Sequence, residues 1–406
     1  MKPNLSVEYC GVKFRNPMVI ASASPSKNAE YMRRCAESGA GGVIAKTFSP
    51  EPLAQQYVSP RFTVLHKKGW PHAYSNYSCE FLATYETEEW FGELREAKKY
   101  CDDLGSTLVG SISGSSLDTW RELAKRVEDL GLPMMELNFG CPHPKDLGYK
   151  SGQELGNSPE GASEVTRVVC ETVKIPVFIK LTSEAVNIVD VAQRCKDAGA
   201  AGFTVVNRFS ALDVDIETGR PLLHGGYAGV GGPWMRPITL KWIAKIATAT
   251  GMPISATNGI VSWEDVIKAI MCGATTVQTC TALMYGTRQF GEVKAFLDGI
   301  ENYLVEHNID DIKKLRGITL PQIITWDNVD REHKAISKVD SEKCVGCGLC
   351  PKWCFFDAIE MVNESGKKVA KIDPEKCDGC GLCAALCPSN AINMEGPVPV
   401  FLGGFS

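Results

Sequence analysis

Eight of the chain's seventeen cysteines lie between residues 344 and 387, in two runs of identical spacing. Cys344, Cys347, Cys350 and Cys354 make one C-x2-C-x2-C-x3-C run, and Cys377, Cys380, Cys383 and Cys387 repeat it 33 residues on. Three thiolates so tightly spaced wrap one iron–sulfur cube while the fourth reaches a second cube, the arrangement that holds two 4Fe–4S clusters in bacterial ferredoxins. On that pattern one cluster takes Cys344, Cys347, Cys350 and Cys387, and the other takes Cys377, Cys380, Cys383 and Cys354. Zinc fits less well, because it needs four ligands per ion and usually a wide gap between two CxxC pairs. The pattern departs once: Phe355, not proline, follows Cys354.

A pair of such clusters conducts electrons singly and does no bond chemistry of its own. Some other group must convert one-electron steps into a two-electron reaction, which flavin does and NAD(P)H does not. The other nine cysteines, from Cys10 to Cys280, are scattered. Such a change in cysteine density marks a boundary between a large first domain and a metal-binding tail.

The elements that would position a flavin are eight apolar runs: 18–23, 41–48, 107–113, 134–140, 177–182, 202–207, 254–259 and 276–283. Most stay apolar until their last residues, as strands buried on both faces do. Amphipathic stretches such as 117–131 alternate with them and end in glycine. Eight strands alternating with helices predict a closed (β/α)8 TIM barrel, followed by a C-terminal two-cluster ferredoxin-like α+β domain. A doubly wound open sheet is the alternative, but it would place a glycine fingerprint near the N-terminus, where none occurs. The domains are expected at 1–310 and 337–406, with 311–336 as linker; the stretch 310–340 reads as a short helix and linker.

Polar residues close every strand: Ser22, Lys46, Ser113, Asn138 with Cys141, Lys180, Asn207, Asn258 with Gly259, and Thr281. Any one of these is an ordinary solvated strand end, but eight together make a barrel mouth. Lys46 and Lys180 ending apolar strands are costly unless an anionic or electron-rich group faces them. The segments ATNGI (256–260) and QTCTALM (278–284) end strands seven and eight, where backbone amides suit a phosphate. FMN, with one phosphate, fits better than FAD. Residues 49–88 and 208–238 are longer than ordinary barrel loops, emerge at the same face, and are expected to shape the substrate pocket.

Composition narrows the partners. A net charge of −5 offers no reason to expect nucleic acid or an anionic membrane. No apolar run reaches the ~18 residues of a membrane span, and the N-terminus lacks a signal-peptide core; a cytoplasmic protein is expected. No G-x-G-x-x-G follows a predicted strand. The electron source is therefore expected to be a separate NAD(P)H-oxidising flavoprotein subunit or a ferredoxin, and the assembly an oligomer.

Through NPMVIASASP (16–25), IAKTFSP (44–50), ELNFGCPH (136–143), VFIKLT, VVN (205–207), GGPWMRPITL (231–240), ATNGI and VQTCTALM (277–284), residues 5–310 resemble the dihydroorotate/dihydropyrimidine dehydrogenase family. The ferredoxin tail, and His143 where the dihydroorotate branch has Asn, place the resemblance on the dihydropyrimidine branch. The resemblance implies that Ser22, Lys46, Thr47, Lys180, Gly232, Thr257, Asn258, Gly259, Cys280 and Thr281 contact FMN. It implies that Cys141 protonates a substrate carbon while flavin N5 delivers hydride to its neighbour. Asn138 and Asn207 would hydrogen-bond the ring.

Three positions depart from the family pattern. Ala83 stands where a pyrimidine-reading Asn is expected, Arg208 replaces a hydroxyl residue, and Gly140 replaces a serine. An arginine favours an anion, unless it simply pairs with Asp213, Asp215 or Glu217. The implied activity is reduction of an activated C=C in a pyrimidine-like ring. The alternatives are an anionic unsaturated ring or enoyl compound, dihydroorotate dehydrogenation, or an electron carrier whose barrel no longer catalyses.

Overall fold

All eight apolar runs become strands of one ring. They are β1 (Met18–Ile20), β2 (Gly42–Ile44), β3 (Thr107–Ile112), β4 (Met135–Asn138), β5 (Val177–Lys180), β6 (Gly202–Val205), β7 (Ile254–Ala256) and β8 (Thr276–Thr279). In this computed structural model, which describes residues 2–51, 59–69, 73–80, 82–140, 152–223, 226–332, 334–364 and 366–396, each strand pairs in parallel with the next. The pairing of Val277 with Met18 closes the barrel. The ladders are shorter than the apolar runs because the polar ends turn out of the pairing and into the mouth.

Helices follow the strands: α1 (Ala29–Glu37), α2 (Thr87–Asp103), α3 (Leu117–Asp129), α4 (Pro159–Thr172), α5 (Ile188–Asp197), α6 (Arg236–Thr250), α7 (Trp263–Met271) and α8 (Gly291–Glu306). In α3 the Ser116 side chain accepts from the Thr119 N–H at 3.1 Å, relieving one of the unpaired amides of the first turn. Its apolar stripe of Trp120, Leu123, Ala124 and Val127 is buried against the barrel. Burying such side chains stabilises the fold by about 1.5–3 kcal/mol each.

The barrel's lower end is plugged by a hairpin of Val7–Tyr9 and Val12–Phe14. Tyr9 donates to the Phe203 carbonyl at 3.1 Å and packs edge-on to Phe178 at 5.2 Å. The upper end carries a small sheet where two long loops are expected. Phe62–Leu65, Ser75–Ser78, Phe209–Ala211 and Ala228–Gly231 form a four-stranded antiparallel sheet, ordered 209–211, 228–231, 75–78, 62–65. Strand pairing thus satisfies the backbone of these four segments and ties the two long connections together.

The described chain divides into two compact units, Met1–Ile323 and Ile324–Ser406. The division falls within the stretch read as a linker. Short 3-10 turns at Ile312–Leu315, Leu320–Gln322 and Trp326–Asn328 stand where one helix was expected. Residues up to 319 belong to the first unit: Gly317 and Thr319 donate backbone N–H groups to Ile270 and Met271.

In the second unit Ile336–Val339 pairs antiparallel with Ile392–Glu395, and Ile359–Glu364 with Lys367–Ile372. Short helices Cys350–Trp353 and Leu382–Leu386 grow from equivalent places in the two cysteine runs. Its buried core is small, with Cys344, Cys350 and Cys383 among Val369, Ala370, Ala384, Ala391 and Ile392. A unit of this size and core depends on staples, here the metal clusters. Among the described residues, no helix is long and apolar enough to cross a membrane.

Candidate active site

Polar strand ends and the added sheet enclose one cavity at the mouth of the barrel, about 830 Å³ counted out to its opening. Twelve expected residues line it: Ser22, Lys46, Thr47, Asn138, Lys180, Asn207, Arg208, Thr257, Asn258, Gly259, Cys280 and Thr281. Gly232 does not. It stands behind the wall, where a side chain would meet the Tyr74 carbonyl oxygen at 2.4 Å. Cys141 falls outside the described residues.

Beneath the mouth a chain of hydroxyls locks the rotamers. Thr47 Oγ1 lies 2.9 Å from Ser22 Oγ and 2.8 Å from Ser111 Oγ, and accepts from Asn138 Nδ2 at 3.2 Å. Thr204 donates to the fully buried Glu136 at 2.8 Å, and Gln278 Nε2 donates to Thr204 and Ser255 at 3.1 and 2.9 Å. Such a network holds its members rigidly, with Gln278 Oε1 left as its one unpaired acceptor among them.

The two lysines meet different fates. Lys46 Nζ bonds Glu80 at 2.7 Å, with both side chains about nine-tenths buried. Glu80 came unforeseen, although an acid amid the apolar residues of that segment was the available signal. Burial opposes its charge, but Lys46, Arg208 and Ser24 outweigh it and hold the carboxyl at about 2. Lys180 is equally buried, yet among the described residues its ammonium has no hydrogen-bond or ion-pair partner.

Two of the three departures need correction. Ala83 is buried and donates its N–H to the Thr47 carbonyl at 2.7 Å; Asn76, Glu80 and Leu82 of the same segment, not Ala83, line the cavity. Arg208 does not pair with Asp213, Asp215 or Glu217. It donates to Ser78 Oγ, and Asp215 instead accepts from Thr218 at 2.8 and 2.9 Å. Those acids lie along the outgoing loop, whereas the arginine folds back across the sheet.

Gly140 has a spatial reason. A β-carbon there would lie 2.5 Å from Asn207 Nδ2 and 2.7 Å from Asn207 Cβ, and Asn207 Nδ2 donates to the Gly140 carbonyl. Gly140→Ser should push Asn207 aside and weaken binding of any ligand that Asn207 hydrogen-bonds about tenfold, the equivalent of one hydrogen bond. The check is a ligand titration at matched flavin content; unchanged affinity would show that Asn207 does not read the ligand.

The residues fit a flavin. A buried ammonium without a partner calls for an electron-rich neighbour, and Gln278 Oε1 is a buried acceptor with no donor. A flavin ring edge offers carbonyl oxygens to the first and an imide N–H to the second. Cys280 lies in the same wall. Burial pushes its thiol up to about 12, so it stays neutral and does not compete as an acid–base group near pH 7.

The cluster unit fits its cubes as well. Cys344, Cys347, Cys350 and Cys387 line one cavity, the set expected for the first cluster. Gly346 (φ +66°) and Gly379 (φ +79°) occupy the same position in the two runs. Only glycine adopts that left-handed turn freely, and added side chains would strike the Lys368 and Ala335 carbonyls at 2.5 and 2.1 Å. Backbone N–H groups of Ala358 and Ala391 point at Cys354 and Cys387 sulfur at 3.4 and 3.3 Å. Burial opposes the Cys387 thiolate, but the hydrogen bonds from Ala391 and Ser389 win and lower its pKa.

Comparison with known proteins agrees with this geometry. Residues 4–304 match the dihydroorotate dehydrogenase family, and residues 337–394 match a 4Fe-4S dicluster domain. The chain is 31% identical to the NAD-dependent dihydropyrimidine dehydrogenase subunit PreA of Escherichia coli K12, over 87% of this chain and 85% of the relative. It is 30% identical to the catalytic subunit of dihydroorotate dehydrogenase B (NAD(+)) of Pyrococcus abyssi, over 78% of this chain and 99% of the relative. The crystal structure of the Eimeria tenella dihydroorotate dehydrogenase with ferulenol shares the fold, at a TM-score of 0.64 and 20% identity, covering 78% of this chain and 88% of that one. This chain belongs to the dihydroorotate dehydrogenase family: it is an FMN-dependent oxidoreductase acting on CH–CH groups, joined to a 4Fe–4S dicluster domain.

Proposed function

We propose that the enzyme adds two hydrogens across an activated C=C bond of a pyrimidine-like ring, the reverse of the reaction for which its dihydropyrimidine dehydrogenase relative is named. One observation carries the reading, the state of two asparagine amides in the cavity. Asn138 donates one N–H to Thr47 and accepts one from the Gly140 amide at 3.1 Å. Asn207 donates one N–H to the Gly140 carbonyl and accepts from the Arg208 amide at 2.9 Å. Among the described residues, each keeps one N–H and one lone pair in hand. That is the complement of a cyclic –NH–C(=O)– edge, which offers one donor and one acceptor side by side.

When bound, FMN supplies the two-electron hydride chemistry and accepts electrons singly from the clusters. Lys180 would face the flavin and favour its electron-rich form. Ser22, Thr47, Thr257, Asn258, Gly259 and Thr281 would seat it, with Lys46 held in place by Glu80. Cys141 follows Gly140 directly and would give its thiol proton to the ring carbon beside the one that receives hydride. An unperturbed thiol titrates at about 8.5, close enough to neutrality to give up the proton and regain it. His143, where the dihydroorotate branch has Asn, favours the dihydropyrimidine branch.

Electrons would arrive through the tail from a separate NAD(P)H-oxidising flavoprotein subunit or a ferredoxin. The test uses anaerobically reconstituted holoprotein, chemically reduced and mixed with uracil, thymine or orotate. The expected result is flavin reoxidation with one dihydro ring formed per two electrons. Failure with all three would sink the reading. NADH added to the same oxidised holoprotein should leave the flavin oxidised for minutes; rapid bleaching would disprove the need for a donor.

A further inference from the structure

Four charged side chains line the cavity among the described residues: Lys46, Glu80, Lys180 and Arg208. Lys46 and Glu80 cancel as a buried pair, and Lys180 ends β5 deep in the mouth. Arg208 follows the end of β6 and directly precedes the sheet strand Phe209–Ala211, and its side chain packs across that sheet.

Its placement is built in. Nη1 donates to Ser78 Oγ, and lies 3.4 Å from the Ser78 and Gly229 carbonyl oxygens. Gly229 and Gly231 alternate onto one face of their strand and leave room for the side chain. A β-carbon on Gly229 would sit 2.6 Å from Arg208 Cζ, and one on Gly231 would sit 3.3 Å from Cγ. The guanidinium therefore lies flat on a glycine track and is anchored through one nitrogen. Among the described residues, Nε and Nη2 have no acceptor. Glu80 feels the charge of Arg208, but its Oε1 already takes Lys46 Nζ and both the N–H and hydroxyl of Ser24.

We infer that Arg208 is a specificity-determining residue: its anchored guanidinium reads a carboxylate, or a like oxyanion, carried by the ring substrate. This rests on the proposed ring chemistry for its site and adds to it the substrate's charge. Nε–H and Nη2–H form the edge of the guanidinium fork that matches two carboxylate oxygens. A neutral ring leaves that edge dry and unsatisfied, which works against the uncharged analogue.

The test compares two matched pairs of planar rings that differ by a carboxylate, uracil with orotate and nicotinamide with nicotinate. Dissociation constants are read from perturbation of the flavin spectrum of the holoprotein. The native enzyme should bind the carboxylate member of at least one pair roughly tenfold tighter. Arg208→Gln should erase that preference and Arg208→Lys restore part of it, which a purely structural role would not do. Should R208Q fail to retain flavin, Ser78→Ala, which frees the anchor, must lower the same ratio. Equal binding within both pairs, a ratio unmoved by R208Q or S78A, or no spectral response to any ring overturns the assignment. Reduction of uracil with an unmoved ratio would leave the proposed function standing and remove Arg208 from it. Arginine-dependent binding of nicotinate with no pyrimidine reduced would do the reverse.

Discussion

A Cys141→Ala variant is expected to reduce its ring substrate about 10²- to 10⁴-fold more slowly than the native enzyme, the usual contribution of one positioned acid. Flavin content, cluster absorbance and reduction of a dye through the clusters should be unchanged, since the thiol is proposed to touch only the reacting carbon. The decisive measurement is the rate of flavin reoxidation by substrate in a single turnover. It isolates proton and hydride transfer from electron supply. Cys141→Ser, with a hydroxyl that titrates far above neutrality and stays protonated, should lie between the two at a rate that does not change as pH rises. A native rate in C141A would remove the thiol as proton donor.

The second large effect concerns the buried pair beneath the flavin site. Lys46→Ala leaves the buried Glu80 carboxylate with only Ser24 and the charge of Arg208 to support it, and breaking such a pair costs about 3–5 kcal/mol. Denaturant unfolding of the holoprotein at fixed flavin should shift accordingly, and Glu80→Gln in the same background should recover part of the loss. The pair also sets an acid limit. Glu80 has a folded pKa of about 2, below the ~4.3 of an unfolded chain. A depressed carboxylate stabilises the fold fully above its unfolded pKa and loses that contribution as pH falls towards the folded one. Stability of the native barrel should therefore fall from about pH 4.3 towards pH 2. K46A should lack much of this slope, and a parallel decline in both proteins would show that other groups govern it.

Much of this protein can be read directly from residue order. The two cysteine runs name their clusters because spacing in a loop is itself the ligand geometry. The eight apolar runs name a barrel because burial on both faces leaves a signature in every strand, and the strand ends mark the mouth because each must exchange apolar for polar residues there. Glu80, Asn76 and the course of Arg208 were hidden for a single reason. They depend on two distant connections, 49–88 and 208–238, pairing edge to edge. Strand pairing between segments so far apart is decided by backbone register, and no local periodicity records it. Hence Lys46 and Lys180, alike in sequence as cations ending apolar strands, are set apart only by the fold: one pairs with a carboxylate brought from another loop, and the other has no such partner among the described residues.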